Sequence, residues 1–246
     1  MSDPAMTLLM TRPRTEAERF LHLLPHDVRQ QVTPVFAPLL SIKQCGVPPE
    51  LEQAAGVIFT SANGVRAASS HTKNHALPTH CVGTETARIA SDLGGRVQEI
   101  GMKADELVAA LSQSKTTGPL LHLCGKHTRG KVAERLSDAG CPTRRHVVYE
   151  QELLTFDQKI LTILHETPLV IAPVFSPRTA RQFVSQCPEM THLHLVAMSE
   201  AVAEPLSCMA HSTLSVAKHP NAASMASVVE MLVHRHCRVE SGGGAQ

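Results

Sequence analysis

The chain has 246 residues, of which 43% are hydrophobic and 18% are charged. This composition is typical of a globular protein with one large domain or two small ones. Lys and Arg number 23 against 22 Asp and Glu, a net charge of +1, so the chain lacks the basic excess with which proteins bind nucleic-acid phosphates. With no Trp and a single Tyr, stacking of bases on aromatic side chains is not expected either.

The sequence also bears on membranes and on the cellular compartment. No apolar run approaches the ~18 residues of a membrane span, and the first residues lack the basic and apolar segments of a signal peptide. The seven cysteines are widely spaced and form no Cys-x-x-Cys pair, which is typical of free thiols in a reducing compartment. We therefore expect a cytoplasmic protein with neither membrane nor nucleic acid as a partner.

Short apolar runs alternate with helical periods along the chain. Each run is followed by small or turn residues and then by a helical pattern. The runs lie at 8–10, 57–59, 81–82, 120–123, 169–171, 193–196 and 214–217. Strands that alternate with helices predict parallel sheets with right-handed crossovers. Two further extended stretches, 35–42 and 144–150, are predicted to connect larger parts of the chain.

An internal repeat predicts two domains. Val-Gly-Thr-Glu-Thr-Ala at 82–87 is similar to Val-Ala-Met-Ser-Glu-Ala at 196–201, and each is followed by a helix, a short strand and a last helix. Two copies of one α/β unit imply two domains with a cleft between them. The first strand and helix, 8–31, have too few partners to stand alone, so we expect them to complete the sheet of the C-terminal copy. The predicted boundaries are 1–34 plus 152–246 for domain one, 43–143 for domain two, and 35–42 with 144–151 for the linker.

Three strand-to-helix turns are candidate anion sites. They lie at 60–64, 83–86 and 176–179. Free backbone N–H groups and the positive dipole end of a helix bind anions, and such turns lie at the carboxyl edge of a parallel sheet, where α/β proteins bind ligands. Plain helix capping is the alternative for any one turn. The residues of interest are Thr60, Ser61, Asn63, Gly64, Gly83, Thr86, Ser176 and Pro177.

Motifs for nucleotide cofactors and metals are not found. Gly-Lys-His-Thr at 125–128 lacks the upstream glycine of a phosphate-binding loop, and no Gly-x-Gly-x-x-Gly follows a strand. The closest histidine pairs are His192 with His194 and His234 with His236. Neither pair has a further ligand at metal-binding spacing, so we interpret them as exposed or capping histidines and predict no metal and no cofactor.

Tyr149 is the only tyrosine and a candidate proton donor. It lies in an extended stretch after Arg144 and Arg145. A phenol near cations loses its proton more easily, because the phenolate is stabilised. The alternative is a partly buried tyrosine that only packs.

Several short motifs follow one another in the order and spacing of a known family. They are Leu-Met-Thr-Arg-Pro at 9–13, Pro-Leu-Leu-Ser-Ile at 38–42, Ile-Phe-Thr-Ser-Ala-Asn-Gly-Val at 58–65, Val-Gly-x-x-Thr-Ala at 82–87, Gly-x-x-x-Arg at 125–129, Val-Tyr at 148–149 and Phe-Ser-Pro at 175–177. On these residues the chain resembles the uroporphyrinogen-III synthase family. The resemblance implies two parallel-sheet, flavodoxin-like α/β domains joined by a two-stranded linker, with a discontinuous first domain.

The resemblance also implies a reaction and a site. The family converts hydroxymethylbilane, a linear tetrapyrrole rich in carboxylates, into uroporphyrinogen III for haem biosynthesis. Water is lost, the ring closes and the last pyrrole is inverted, with no cofactor or metal. The resemblance assigns to Tyr149 assistance of the departing hydroxyl, and it implies a monomer with transient contacts to neighbouring pathway enzymes. The implied substrate contacts are Arg12, Thr60, Ser61, Asn63, Gly64, Gly83, Thr86, Ser176, Pro177 and Ser199.

Two other functions stay open at this point. One is a non-catalytic two-domain module that binds a small anionic ligand. The other is a different α/β enzyme, such as a transferase that acts on phosphorylated substrates. Both predict binding of simple anions without closure of a tetrapyrrole ring.

Overall fold

The structure, a computed structural model, describes residues 6–46, 51–72, 77–114, 118–128, 130–187 and 192–242. The chain divides into two compact units, Met1–Ser41 with Leu153–Gln246 (unit 1) and Ile42–Glu152 (unit 2). None of the helices in the described ranges has both the length and the apolar character that crossing a membrane requires.

Strands and helices alternate in both units. In chain order the strands are β1 (Met6–Met10), β2 (Val32–Phe36), β3 (Leu40–Gln44), β4 (Gly56–Phe59), β5 (Pro78–Cys81), β6 (Arg96–Glu99), β7 (Leu120–Gly125), β8 (Thr143–Leu153), β9 (Leu169–Val174), β10 (Leu193–Ala197) and β11 (Thr213–Val216). The α-helices are α1 (Arg14–Leu23), α2 (His26–Gln30), α3 (Ala62–Thr72), α4 (Thr84–Asp92), α5 (Ala104–Gln113), α6 (Val132–Asp138), α7 (Gln158–Glu166), α8 (Pro177–Gln186), α9 (Glu200–Leu206) and α10 (Ala222–Gly242). A short 3-10 helix spans Leu51–Gln53.

Unit 1 contains a five-stranded sheet in the order β11-β10-β9-β1-β2. The neighbouring strands are parallel, and Leu8 of β1 lies opposite both Pro34 and Ile171. Because successive side chains of a strand point to opposite faces, Leu9 packs in one core cluster with Phe183, whereas Leu8 and Ile171 pack in another. The sheet is therefore apolar on both faces, as expected of parallel strands covered by helices.

Unit 2 contains a six-stranded sheet in the order β3-β8-β7-β4-β5-β6. The strands from β8 to β6 pair in parallel. Val57 and Phe59 of β4 pack in one core cluster, and Ile58 between them packs in the cluster on the other face. Because β4 pairs in parallel with both β5 and β7, the carboxyl ends of these three strands meet at one edge of the sheet. The turns that follow them are therefore placed side by side.

The predicted fold class is confirmed, since parallel strands alternate with helices in both units. The structure divides the predicted extended stretch 35–42, however. Its first residues end β2 in the five-stranded sheet and its last residues begin β3 in the six-stranded sheet. Between them, the N–H groups of Ala37 and Leu39 bond to the carbonyls of Met10 and Thr11, whereas Pro38 has no N–H to donate. A linker role for 35–42 and 144–151 stays a prediction.

Candidate active site

The first predicted turn joins β4 to α3 in unit 2. Ser61 precedes α3, and its Oγ accepts a hydrogen bond of 3.3 Å from the N–H of Gly64. A serine in this place satisfies one of the free N–H groups at a helix start. The turn is therefore a cap, and the half-buried Thr60 and Ser61 stand at the carboxyl edge of the sheet.

Tyr149 lies on β8 and reaches the same turn. Its side chain is 6% exposed and packs in a core cluster with Phe59 and Leu123. Its hydroxyl lies 3.1 Å from Ser61 Oγ. The packing interpretation thus applies to the ring, whereas the hydroxyl is held at the start of α3 and its role as a proton donor stays a prediction.

Gly125, at the end of β7, makes room for the tyrosine ring. The pairing of β7 with β8 is irregular between Cys124 and Gly125, which brings Gly125 opposite Tyr149. A Cβ at Gly125 would lie 2.6 Å from Cζ and 2.9 Å from the hydroxyl oxygen of Tyr149. Any side chain here would displace the ring, so glycine is required at this position for steric reasons.

Arg145 holds the segment that follows β7. Its guanidinium donates to the carbonyls of Gly125, at 2.9 Å, and Lys126, at 2.7 Å. The N–H of Lys126 in turn donates to the carbonyl of Tyr149 at 2.9 Å. Arg145, one of the two cations that the sequence places near Tyr149, thus donates its hydrogen bonds to backbone carbonyls beside the ring.

His122 lies on β7 behind Thr60. Its side chain is 1% exposed, and its Nε2 lies 3.1 Å from Thr60 Oγ1. Burial, reinforced by the charge of Arg145, lowers the pKa of His122 to about 4. The imidazole is therefore neutral at neutral pH.

The second predicted turn differs from the expectation in one respect. Gly83 precedes α4 with φ of +81°, a conformation that favours glycine, and its N–H bonds to the carbonyl of Gly101 at 3.0 Å. That N–H is therefore not free for an anion. Thr86 is buried in the first turn of α4, and Glu85 beside it pairs with Arg88 at 3.0 Å.

Asn63 and Gly64 have structural partners of their own. The side-chain oxygen of Asn63 accepts a bond of 3.2 Å from Arg66. A Cβ at Gly64 would lie 2.9 Å from the carbonyl of Leu123. Gly64 therefore allows α3 to approach β7 closely, a packing role that the sequence alone does not reveal.

Unit 1 has a corresponding turn between β9 and α8. Ser176 caps α8: its Oγ accepts from the N–H of Thr179 at 3.1 Å and lies 2.9 Å from the Thr179 hydroxyl. Pro177 occupies the first turn of the helix, where its missing N–H has no cost. The Ser176 side chain is thus engaged within the turn.

Arg12 lies at the neighbouring position in unit 1, just after β1. Its guanidinium stacks over the ring of Phe175 at 4.3 Å. Burial lowers the pKa of the Arg12 guanidinium, yet arginine keeps its charge at neutral pH. A half-buried cation therefore lies next to the β9–α8 turn and can pair with a carboxylate.

Ser199, among the predicted substrate contacts, lies at a helix start that is poorly suited to bind an anion. It precedes α9, makes no side-chain capping bond, and is followed by the acidic Glu200 in the first turn. Because α9 has only seven residues and a carboxylate opposes anion binding at a helix start, this turn offers little to an anionic ligand.

The histidine interpretation is wrong for His194. We expected an exposed or capping side chain, but His194 is 7% exposed, lies 2.9 Å from Thr213 Oγ1 and contacts the ring of His236. Its position on β10, an inner strand between β11 and β9, accounts for the burial. In the part of the chain that the structure describes, no three His, Cys, Asp or Glu side chains come together as a metal site.

Comparison with known proteins identifies the family. The sequence profile of the family described as uroporphyrinogen-III synthase HemD matches residues 28–227, which is most of the chain. The chain belongs to the uroporphyrinogen-III synthase family. A search among curated proteins finds no match.

Solved structures of uroporphyrinogen-III synthases have the same fold. The chain is similar to the enzyme from Helicobacter pylori, with a TM-score of 0.67 and 16% identity over 92% of this chain and 99% of that one. A mutant enzyme from the extremely thermophilic bacterium Thermus thermophilus matches with a TM-score of 0.53 and 14% identity, over 94% of this chain and 99% of that one. At these identities the likeness concerns the fold.

Of the residues that the uroporphyrinogen-III synthase motifs single out, the structure brings together Ser61 and Tyr149, whereas the Thr60 side chain bonds to His122. Arg129 of the Gly-x-x-x-Arg motif lies outside the described residues. His122 and Gly125 were missed as site residues. A polar residue inside the apolar strand 120–124 was the available signal for His122, and the strand-end glycine of a family motif was the signal for Gly125.

Proposed function

We propose that Tyr149, Ser61 and Thr60 bind the end of hydroxymethylbilane from which the hydroxyl departs. Membership of the family makes this chain an enzyme of tetrapyrrole biosynthesis, a lyase that forms uroporphyrinogen III. The observation that carries the proposal is the 3.1 Å contact between the Tyr149 hydroxyl and Ser61 Oγ at the start of α3. Neither of the two non-family functions is favoured by the comparisons.

The chemistry requires only modest acid assistance. The electron-rich pyrrole expels the hydroxyl group as its C–O bond breaks, and the cation that results is an azafulvene. A phenol that donates a hydrogen bond to the departing oxygen stabilises the charge that develops there. Ring closure at the substituted carbon then depends on how the chain of pyrroles is held, which is a matter of positioning.

Ser61 determines where the phenol points. Its Oγ accepts from the Gly64 N–H, so one lone pair is engaged in the cap. The Ser61 hydroxyl hydrogen can then be donated to Tyr149 Oη, which leaves the phenolic hydrogen for the substrate. In this arrangement the cap of α3 and the proton donor are one hydrogen-bonded group.

The carboxylates of the substrate require other donors. We propose that backbone N–H groups at the starts of α3, α4 and α8, together with the Arg12 guanidinium, bind them, because a chain of net charge +1 has no general positive surface to do so. Within this set the Gly83 N–H is committed to Gly101. The contacts that stay predictions are Arg12, Asn63, Gly64, Gly83, Thr86, Ser176, Pro177 and Ser199.

The test is the variant Tyr149→Phe in an assay that supplies hydroxymethylbilane and separates the oxidised porphyrin isomers. We expect kcat to fall about 10²–10⁴-fold, the usual contribution of a positioned acid, with KM and the unfolding midpoint nearly unchanged. Thr213→Val is a control that removes a part-buried hydroxyl bonded to a histidine in unit 1, and it should retain wild-type kcat. Full activity of Tyr149→Phe would assign the acid role to substrate carboxyls or water.

We further propose that the chain acts as a cytoplasmic monomer with transient contacts to neighbouring pathway enzymes. Free cysteines fit a reducing compartment, and the monomer and the transient contacts are what the family resemblance implies. Light scattering during size exclusion, at micromolar protein, should give the mass of one chain. A mass of two chains would refute the monomer.

A further inference from the structure

His122 is buried beside the proposed site without touching solvent. The side chain is 1% exposed, so it cannot contact a bound tetrapyrrole itself. Its Nε2 lies 3.1 Å from Thr60 Oγ1, and its Nδ1 has no partner among the described residues. The hydrogen bond to Thr60 is therefore the direct route by which His122 can act on the site.

The partners of the two ring nitrogens of His122 determine which nitrogen carries the hydrogen. A neutral imidazole has one N–H donor and one acceptor nitrogen. If the hydrogen were on Nδ1, a donor would be buried without an acceptor. With the hydrogen on Nε2, the donor bonds to Thr60 and only an acceptor lone pair lacks a partner. Orphaned buried N–H groups are the rarer and more costly of the two, so the Nε2–H form is favoured.

This tautomer fixes the direction of the Thr60 hydroxyl. When Thr60 Oγ1 accepts from His122, its own hydrogen is free to be donated elsewhere, and Thr60 is half-buried at the carboxyl edge of the sheet. The neighbouring Ser61 hydroxyl is already shared between Gly64 and Tyr149. Thr60 is thus left with an oriented hydroxyl hydrogen to donate at the carboxyl edge of the sheet.

We infer that His122 is a positioning residue: its Nε2–H holds the Thr60 hydroxyl as a hydrogen-bond donor for a carboxylate of the substrate. The inference rests on the proposed function, because it assumes that the substrate binds beside Thr60. A carboxylate accepts such a bond strongly, since the acceptor is charged. His122 thereby contributes to binding of the acidic side chains and not to the breaking of the C–O bond.

The experiment compares the variants His122→Leu, Thr60→Val, their combination and His122→Gln. Thr60→Val should raise KM about tenfold, the worth of a hydrogen bond to a charged group, and leave kcat nearly unchanged. His122→Leu should raise KM by a similar factor, and the double variant by no more than either single one, because both remove the same interaction. His122→Gln keeps an N–H donor and should restore the wild-type KM.

His80 supplies a matched control. It lies on β5, is 6% exposed, and its Nδ1 also lacks a partner among the described residues. Strand β4 lies between β5 and β7 in the sheet and so separates His80 from His122. His80→Leu should therefore keep the wild-type KM and kcat, so that an effect of His122→Leu is not merely the loss of a buried histidine.

The outcomes separate the inference from the proposed function. A wild-type KM for Thr60→Val overturns both, whereas a raised KM for Thr60→Val with a wild-type KM for His122→Leu overturns only the role of His122. If the double variant raises KM by the product of the two single factors, the role of His122 is overturned as well. Should His122→Leu fail to fold, ¹⁵N NMR of the wild-type imidazole decides: a protonated Nε2 supports the inference, and a protonated Nδ1 refutes it.

Discussion

Replacement of Gly125 by alanine tests whether the position of the Tyr149 ring matters. The added Cβ would lie 2.6 Å from Cζ and 2.8 Å from Cε2 of the ring. Carbon atoms pack at about 3.5–4.0 Å, so the ring has to move by roughly 1 Å. The ring lies in a core cluster with Phe59 and Leu123, and it has little room to do so without strain.

Two magnitudes follow from that displacement. Overpacking of this kind costs about 1–3 kcal/mol in the free energy of unfolding. The hydroxyl, now 3.1 Å from Ser61 Oγ, would leave hydrogen-bond distance, and a misplacement of about 1 Å can lower turnover by ~100-fold. We therefore expect Gly125→Ala to be folded, less stable and poor in forming uroporphyrinogen III.

The measurements are urea unfolding and the porphyrin-isomer assay. A second background separates the clash from other effects. Tyr149→Leu removes the ring atoms that the new Cβ would meet, so Gly125→Ala should cost much less stability in that background than in the wild type. Additive losses in the two backgrounds, or wild-type stability and turnover in Gly125→Ala alone, would falsify the steric argument.

Two further predictions concern His122 and Ser176. The pKa of His122 falls from 6.5 in the unfolded chain to about 4 in the folded one, so the unfolded state binds the extra proton between these pH values and stability decreases as pH falls. At about 1.36 kcal/mol per pKa unit, the loss of unfolding free energy approaches about 3 kcal/mol at pH 4. Urea unfolding between pH 7 and pH 4 should show that the unfolding free energy of His122→Leu depends less on pH than that of the wild type. An equal pH dependence in the two proteins would refute the assignment. Ser176→Ala removes the cap bond to Thr179 and should cost about 1 kcal/mol in unfolding free energy, whereas KM should change little because the backbone N–H groups remain; abolished substrate binding would contradict the role given to the backbone.

The fold class was predictable because its signals are local. An apolar run such as 57–59, followed by the small and polar residues of the turn at 60–64, marks a strand, a turn and a helix within a few positions of each other. The sequence alone does not show how the extended stretch 35–42 is shared between two sheets. Its two halves join different sheets, and that choice depends on partner strands far away in the chain.

The candidate site was predictable in kind but not in detail. Thr60, Ser61 and Tyr149 could be singled out by residue type and motif. That Ser61 bonds to Tyr149 and Thr60 to His122 depends on contacts between residues that are distant in sequence. The commitment of the Gly83 N–H to Gly101 is likewise a property of the folded loop, so the turn at 83–86 offers fewer donors than its sequence indicates.

The place of β1 in its sheet has a consequence for synthesis of the chain on the ribosome. β1 precedes the other described strands in the chain but lies between β2 and β9, and β9 ends at Val174. Until that strand has emerged, one edge of β1 has no neighbour, and its apolar residues await the helices that cover them. Unit 2, by contrast, is continuous in sequence from Ile42 to Glu152 and can close earlier. A nascent chain that exposes residues up to 152 outside the ribosome, but not yet β9, should therefore protect unit 2 from protease while Met6–Met10 stays open to chaperones and to pairing with other chains.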